Sequence, residues 1–164
     1  MTAAEEILFA LKNLAIPYDL VRHEEVHTIE DCAWAQEQLG ALVCKNLFLT
    51  PRNQSAFYLL VVRPDAVFRT ADISGQIGSS RLSFGPSERL MAFLRVAPGA
   101  ISPLGLLFDR QRRVQLLVDE RLKLEERLAF HPNDNTQTLA LKGADFFEKF
   151  LPAAAHPPRF VRLT

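Results

Sequence analysis

A short turn between two apolar runs sets the first limit on what this chain can fold into. Val43 to Leu49 and Ala56 to Val62 are both apolar and β-prone, and Pro51-Arg52-Asn53-Gln54-Ser55 lies between them. Runs of that kind joined by a brief polar, proline-bearing segment form a hairpin. A hairpin does not fit a doubly wound parallel sheet. Other strand-like and helical segments alternate irregularly around it, so the expected class is α+β, a mixed-strand sheet surrounded by helices.

The helical segments carry their own punctuation. Thr2-Ala3-Ala4-Glu5 reads as a capping box, and Ile7, Leu8, Leu11 and Leu14 follow at helical spacing to about Ala15, before Pro17. Thr28 opens a second helix that Gly40 ends. Ala71 to Ile77, the segment after Gly85-Pro86-Ser87-Glu88, and Ala144 to Leu151 read as further helices, with Pro86 suited to a first turn. Short strands are expected at Tyr18 to Arg22, Leu82 to Phe84 and Arg113 to Val118, Ala129-Phe130 and Thr138 to Leu141 flank the His131 loop, and the tail from His156 is expected to be extended with its histidine solvated.

With 164 residues and 48% apolar composition, the chain is expected to form one domain, 1–164, with a sizeable core. No apolar run approaches a membrane span, and the acidic start Glu5-Glu6 is unlike a signal peptide, so a cytoplasmic location is expected. The 19 basic and 19 acidic residues balance. A nucleic-acid partner would then be held through few phosphates. Cys32 and Cys44 have no Cys-x-x-Cys spacing and read as buried free thiols.

Chemistry gathers in three stretches. Lys45-Asn46 heads the apolar run of the hairpin, so the lysine is half buried and its ammonium needs an anion, a carbonyl or a developing oxyanion. Pro98-Gly99-Ala100-Ile101-Ser102-Pro103 is a rigid loop in which Gly99 allows close approach of a ligand to backbone N–H groups. It is equally a plain turn between helices. Ser102 lacks a nucleophile elbow and precedes a proline, so it reads as a hydrogen-bonding residue. His131-Pro132-Asn133-Asp134-Asn135-Thr136 places an imidazole in a turn, either as a functional group or as a structural one.

His23-Glu24-Glu25-Val26-His27 matches the zinc-protease string, in which both histidines must lie on one helix face. The helix start at Thr28 follows the string, and no third ligand is evident, so a metal site is not expected. Arg110, Arg112 and Arg113 form a small basic cluster, read as a solvated hairpin or as a weak phosphate contact.

Taken in order, Lys45-Asn46-Leu47-Phe48-Leu49, Pro98-Gly99-x-x-Ser102-Pro103-Leu104-Gly105-Leu106, Val118-Asp119-Glu120-Arg121-Leu122 and His131-Pro132-x-x-Asn135-Thr136-x-Thr138 resemble the YbaK/ProX superfamily of aminoacyl-tRNA editing domains. Within it the chain is most similar to the free-standing alanyl-tRNA(Pro) deacylases. The resemblance covers roughly His23 to Phe150. It implies a partly closed, barrel-like sheet and a hydrolase that works without a cofactor. It implies Lys45, Asn46 and His131 as catalytic residues, with Gly99, Ala100, Ile101, Ser102, Pro103, His27 and Thr28 lining the substrate site. It also implies a tRNA acceptor end carrying an aminoacyl ester as partner, with prolyl-tRNA synthetase as a further candidate. Two rivals stand beside this reading: a non-catalytic module that binds the same tRNA end, and a zinc metalloprotease using His23, Glu24 and His27.

Overall fold

The computed structural model describes residues 1–25 and 29–163, with the backbone alone for Ile29, Glu30 and Asp31. The first half runs α1 (Ala3–Asn13), β1 (Asp19–Arg22), α2 (Ile29–Leu39), β2 (Leu42–Val43), β3 (Lys45–Pro51), β4 (Phe57–Val62), α3 (Thr70–Ile77), β5 (Leu82–Phe84) and α4 (Ser87–Leu94). Two 3-10 turns, Pro98–Ala100 and Pro103–Phe108, lead to β6 (Val114–Asp119), and a third, Glu120–Leu124, leads to β7 (Arg127–Phe130) and β8 (Gln137–Lys142). A helical stretch then combines α5 (Gly143–Asp145), a π-helical turn (Phe146–Phe150) and α6 (Leu151–Ala153), before β9 (Arg159–Val161).

β4 is apolar at every position because it is buried at every position. It pairs antiparallel with β3 and parallel with β6, at the centre of a five-stranded sheet ordered β5-β3-β4-β6-β9. Alternate side chains leave a strand on opposite faces. Phe57, Leu59 and Val61 thus enter a core shared with Ile7 and Leu11 of α1, Phe93 and Leu94 of α4, and Phe146 and Phe150. Leu60 and Val62 enter a second core with Leu47, Leu49, Leu82 and Ile73 of α3. Fully burying each such side chain contributes roughly 1.5–3 kcal/mol.

β1, β8, β7 and β2 form the other sheet, with β2 parallel to β7 and the remaining pairs antiparallel. Val21, Val43, Ala129 and Ala140 line its outer face together with Leu39 of α2. The chain crosses from this sheet to the five-stranded one through Cys44 alone, whose N–H donates to Ala129 O (3.2 Å). The fold is therefore α+β with two mixed sheets. Among the described residues the ladders leave free edges at β1, β2, β5 and β9, and no closed ring of strands joins them.

The capping box is present, with Glu5 N–H donating to Thr2 Oγ1 and Thr2 N–H to Glu5 Oε1, both at 3.1 Å. Pro86 stands one residue earlier than expected, as the cap of α4 rather than in its first turn. The thiol of Cys44 is buried and Cys32 is half buried. Burial pushes the Cys44 thiol far up, so it remains a neutral packing group. The expected cap at Thr28 lies outside the described residues. None of the helices described is long and apolar enough to cross a membrane.

Candidate active site

Four strand ends meet where the two sheets part. β1 ends before His23, β7 ends before His131, β3 begins at Lys45, and β8 begins one residue before Thr138. The parallel register Val43↔Ala129 brings two of these together. Lys45 enters β3 two residues after Val43, as His131 leaves β7 two residues after Ala129. Strand alternation gives His131, Thr138 and His23 the parity of Ala129, Ala140 and Val21, the outer face against α2, whereas Lys45, in the other sheet, has the parity of Leu47 and Leu49. Lys45 is half buried, as its place at the head of an apolar strand requires, and makes no ion pair among the described residues.

Asn46 has the other parity, that of Phe48. Its Nδ2 donates to Ile101 O (3.1 Å), which fixes the amide orientation and moors the 98–102 loop to β3. Its Oδ1 is buried and has no donor. Among the described residues Asn133 Oδ1 and Gln137 Oε1 are buried acceptors of the same kind, each costing about 1–3 kcal/mol while unmatched.

The loop itself is built differently from the sequence reading. Ser102 is fully buried, and its Oγ accepts from Leu104 N–H (3.1 Å), capping the 3-10 turn that begins at Pro103. Its hydrogen-bonding role is thus inside the protein. The Ala100 N–H is committed to Ala97 O (3.0 Å), whereas the Gly99 N–H, on an exposed residue, makes no bond among the described residues. A Cβ on Gly99 would sit 3.5 Å from Asn135 Nδ2, in ordinary contact, so nothing within the fold demands glycine there. Gly105 is the constrained one. A Cβ there would lie 2.9 Å from Leu94 O and 3.2 Å from the amide of Asn133, which itself donates to Leu94 O (2.8 Å). That close approach ties the histidine loop to the end of α4 and to the 3-10 turn.

His131 is set by this frame. Its Nδ1 lies 2.8 Å from Gln137 O and 3.3 Å from Thr138 Oγ1. Burial lowers its pKa below the ordinary histidine value, with neighbouring His23 acting the same way and the Gln137 carbonyl partly opposing them. The imidazole is therefore neutral at pH 7. Asp134 caps the turn through Thr136 and Gln137. Burial alone would raise the Asp134 pKa, but these donors hold the carboxylate below its usual range.

His23 follows β1 and Glu24 lies in a bend, both outside any helix, and α2 starts only at Ile29. The continuous helix that the zinc-protease string needs is absent there. His27 and Thr28 lie outside the described residues. The arginine cluster stands apart from the site. Val114 pairs with Phe57 while Lys45 pairs with Val62, so the two regions lie at opposite ends of β4, about 17 Å apart at a strand rise of ~3.3 Å. Arg113 holds its guanidinium 5.0 Å over the ring of Phe93.

Residues 23–149 match the sequence profile of the aminoacyl-tRNA editing domain. The chain belongs to this family. Among its relatives, the prolyl-tRNA editing protein ProX of Acetoanaerobium sticklandii is 32% identical over 163 residues, covering 99% of both chains. The prolyl-tRNA synthetase associated domain-containing protein 1 of Mus musculus is 33% identical over 150 residues, 88% of this chain and 87% of that one. A crystal structure described as a candidate trans-editing enzyme for prolyl tRNA synthetase superposes with a TM-score of 0.73 at 15% identity, over 100% of this chain and 98% of that one, which shows a shared fold. The chain is an editing domain of the YbaK/ProX type. The link from His23 through Thr138 to His131 is not evident in the sequence, because His23 and Thr138 are 115 residues apart.

Proposed function

We propose that the protein is a trans-editing hydrolase that deacylates mischarged tRNA, Ala-tRNA(Pro) in particular. One observation carries the proposal. At the head of β3 the half-buried Lys45 ammonium has no anionic partner among the described residues. An aminoacyl ester on a tRNA end supplies one. Its phosphate, or the oxyanion that develops on the ester carbonyl, suits Lys45.

The chemistry asked of the protein is modest, since the ester is already activated. It must position water and stabilise negative charge. Lys45 provides the charge. The exposed Gly99 N–H is a candidate second donor to the carbonyl oxygen. Neutral His131 accepts a proton from water or from the neighbouring ribose hydroxyl and returns it to the leaving oxygen. Discrimination by size at the 98–102 loop would admit alanine and spare prolyl-tRNA. The names of the prolyl-tRNA editing relatives favour the same substrate class.

Purified protein should release alanine from Ala-tRNA(Pro) and leave Pro-tRNA(Pro) charged, in a panel that includes several other mischarged tRNAs. Tight binding to Ala-tRNA(Pro) with no release above the spontaneous rate would favour the binding module instead. Activity should also survive exhaustive chelation; loss on chelation with recovery on adding zinc would revive the metal reading.

A further inference from the structure

His131, Thr138 and His23 form a hydrogen-bonded line whose proton positions follow from the partners. Thr138 is 1% exposed, so its hydroxyl must be satisfied within the protein. His131 Nδ1 faces Gln137 O at 2.8 Å, and His23 Nδ1 faces Glu24 O at 2.7 Å. A carbonyl only accepts, so each Nδ1 carries the hydrogen. In the neutral rings each Nε2 then bears a lone pair. His23 Nε2 lies 2.7 Å from Thr138 Oγ1, so the threonine hydroxyl donates to it. With its hydrogen turned towards His23, Thr138 offers only lone pairs to His131 Nδ1, 3.3 Å away. The rings of His23 and His131 stand edge to face at 6.0 Å, and Trp34 of α2 meets the far side of His23 at 6.4 Å.

We propose that Thr138 and His23 are positioning residues that reinforce the Gln137 carbonyl in holding His131 as its Nδ1–H tautomer, with Nε2 left as an open proton acceptor. This deepens the deacylase reading and rests on it for the use made of Nε2. His23 acts by occupation. A free Thr138 hydroxyl would compete with the Gln137 carbonyl for His131 Nδ1, donating to it and favouring the opposite tautomer, in which Nε2 carries the hydrogen and cannot act as a base. By engaging that hydroxyl, His23 removes the competing donor. The other charged group bearing on the ring is Asp134 on its own loop, which is committed to Thr136 and Gln137.

The proposal makes an unusual prediction for a double variant. His23→Phe frees the hydroxyl, so the Nε2–H form of His131 should appear in ¹⁵N NMR of the imidazoles. Deacylation should fall in proportion to the Nε2–H fraction seen, by at most about tenfold. Thr138→Val added to His23→Phe deletes the competing donor. The Nδ1–H form should return, and most of the lost rate with it. His23→Gln, which retains an acceptor, should stay close to the parent on both readouts. A purely structural role predicts the reverse, a double variant worse than either single one. Finding His131 as the Nε2–H tautomer in the parent protein, or no rescue by Thr138→Val, overturns the proposal. The NMR readout needs no substrate. A protein with the tautomer pattern described but no deacylation of any tRNA would keep the lock and defeat the deacylase reading.

Discussion

Two histidines in this protein begin from the same local contact and end in opposite surroundings. His131 gives Nδ1–H to a backbone carbonyl at 2.8 Å, and His156 does the same to Ala154 O at 2.6 Å. The difference lies in the second nitrogen. His156 Nε2 meets Asp109 Oδ2 at 2.9 Å in a pocket where the histidine is only 3% exposed. His131 Nε2 meets no protein partner among the described residues. Asp109 also accepts from Arg113 N–H (3.0 Å) and Val114 N–H (2.8 Å), so the His156 pair fastens the tail to the start of β6. A histidine with both nitrogens spent holds structure together, whereas one with a nitrogen in reserve is available for chemistry.

The largest effect should come from the site side of this comparison. Lys45→Ala should cut deacylation by roughly a hundredfold or more, as loss of an oxyanion-stabilising group does. Its melting temperature should stay near that of the parent, because Lys45 has no ion pair to lose among the described residues. A folded variant with near-parental single-turnover rates would remove the lysine from the mechanism.

The tail side should instead report through acid stability. Burial alone would raise the Asp109 pKa. The His156 ring and the two N–H groups outweigh that and hold it below the ordinary carboxylate value. A carboxylate lowered in this way contributes stability above its unfolded pKa near 4. That contribution disappears as pH falls through the lower folded value. Urea midpoints between about pH 5 and pH 2 should therefore drop less steeply for Asp109→Asn than for the parent, from a lower starting point at neutral pH. Parallel curves would show that Asp109 is not a source of the acid sensitivity.

The smallest effect concerns the arginines at the far end of β4. Replacing Arg110, Arg112 and Arg113 should flatten the dependence of log affinity on log salt for tRNA by at most about 0.7–0.9 per lost phosphate contact, with the chemical step unchanged. A large loss of single-turnover rate would mean that this end of the sheet lies much closer to the reacting ester than the strand geometry allows.

Much of the frame was legible in the sequence because it is local or periodic. The capping box, the β3–β4 hairpin and the helix stop at Gly40 each rest on a few adjacent residues. The 98–103 and 131–136 stretches were legible as loops beside apolar segments, and Lys45-Asn46 as the head of an apolar strand. The 3-10 turns were not, since turns of three to six residues show no periodicity, and the π-helical turn at Phe146–Phe150 hides within ordinary helical spacing. The tail was misread for a different reason. His156 in a proline-rich stretch was expected to be solvated, yet β9 pairs with β6 in parallel and Asp109, 47 residues away, receives the imidazole. Nothing local announces a partner at that distance. For the same reason the sequence pointed to His131 without its link to His23, and to Asn46 without the Ile101 carbonyl that orients it.

The comparison of the two histidines is tested most directly by making one change at both positions and measuring stability and chemistry together. His131→Ala should lower the single-turnover rate on Ala-tRNA(Pro) by about a hundredfold and change the unfolding free energy only slightly. His156→Ala leaves a buried carboxylate without its partner and should cost about 3–5 kcal/mol, with the rate of the folded fraction close to parental. If His131→Ala is instead the destabilised variant with its rate retained, or His156→Ala the inactive one with its stability intact, the division between a reserved and a spent nitrogen is wrong.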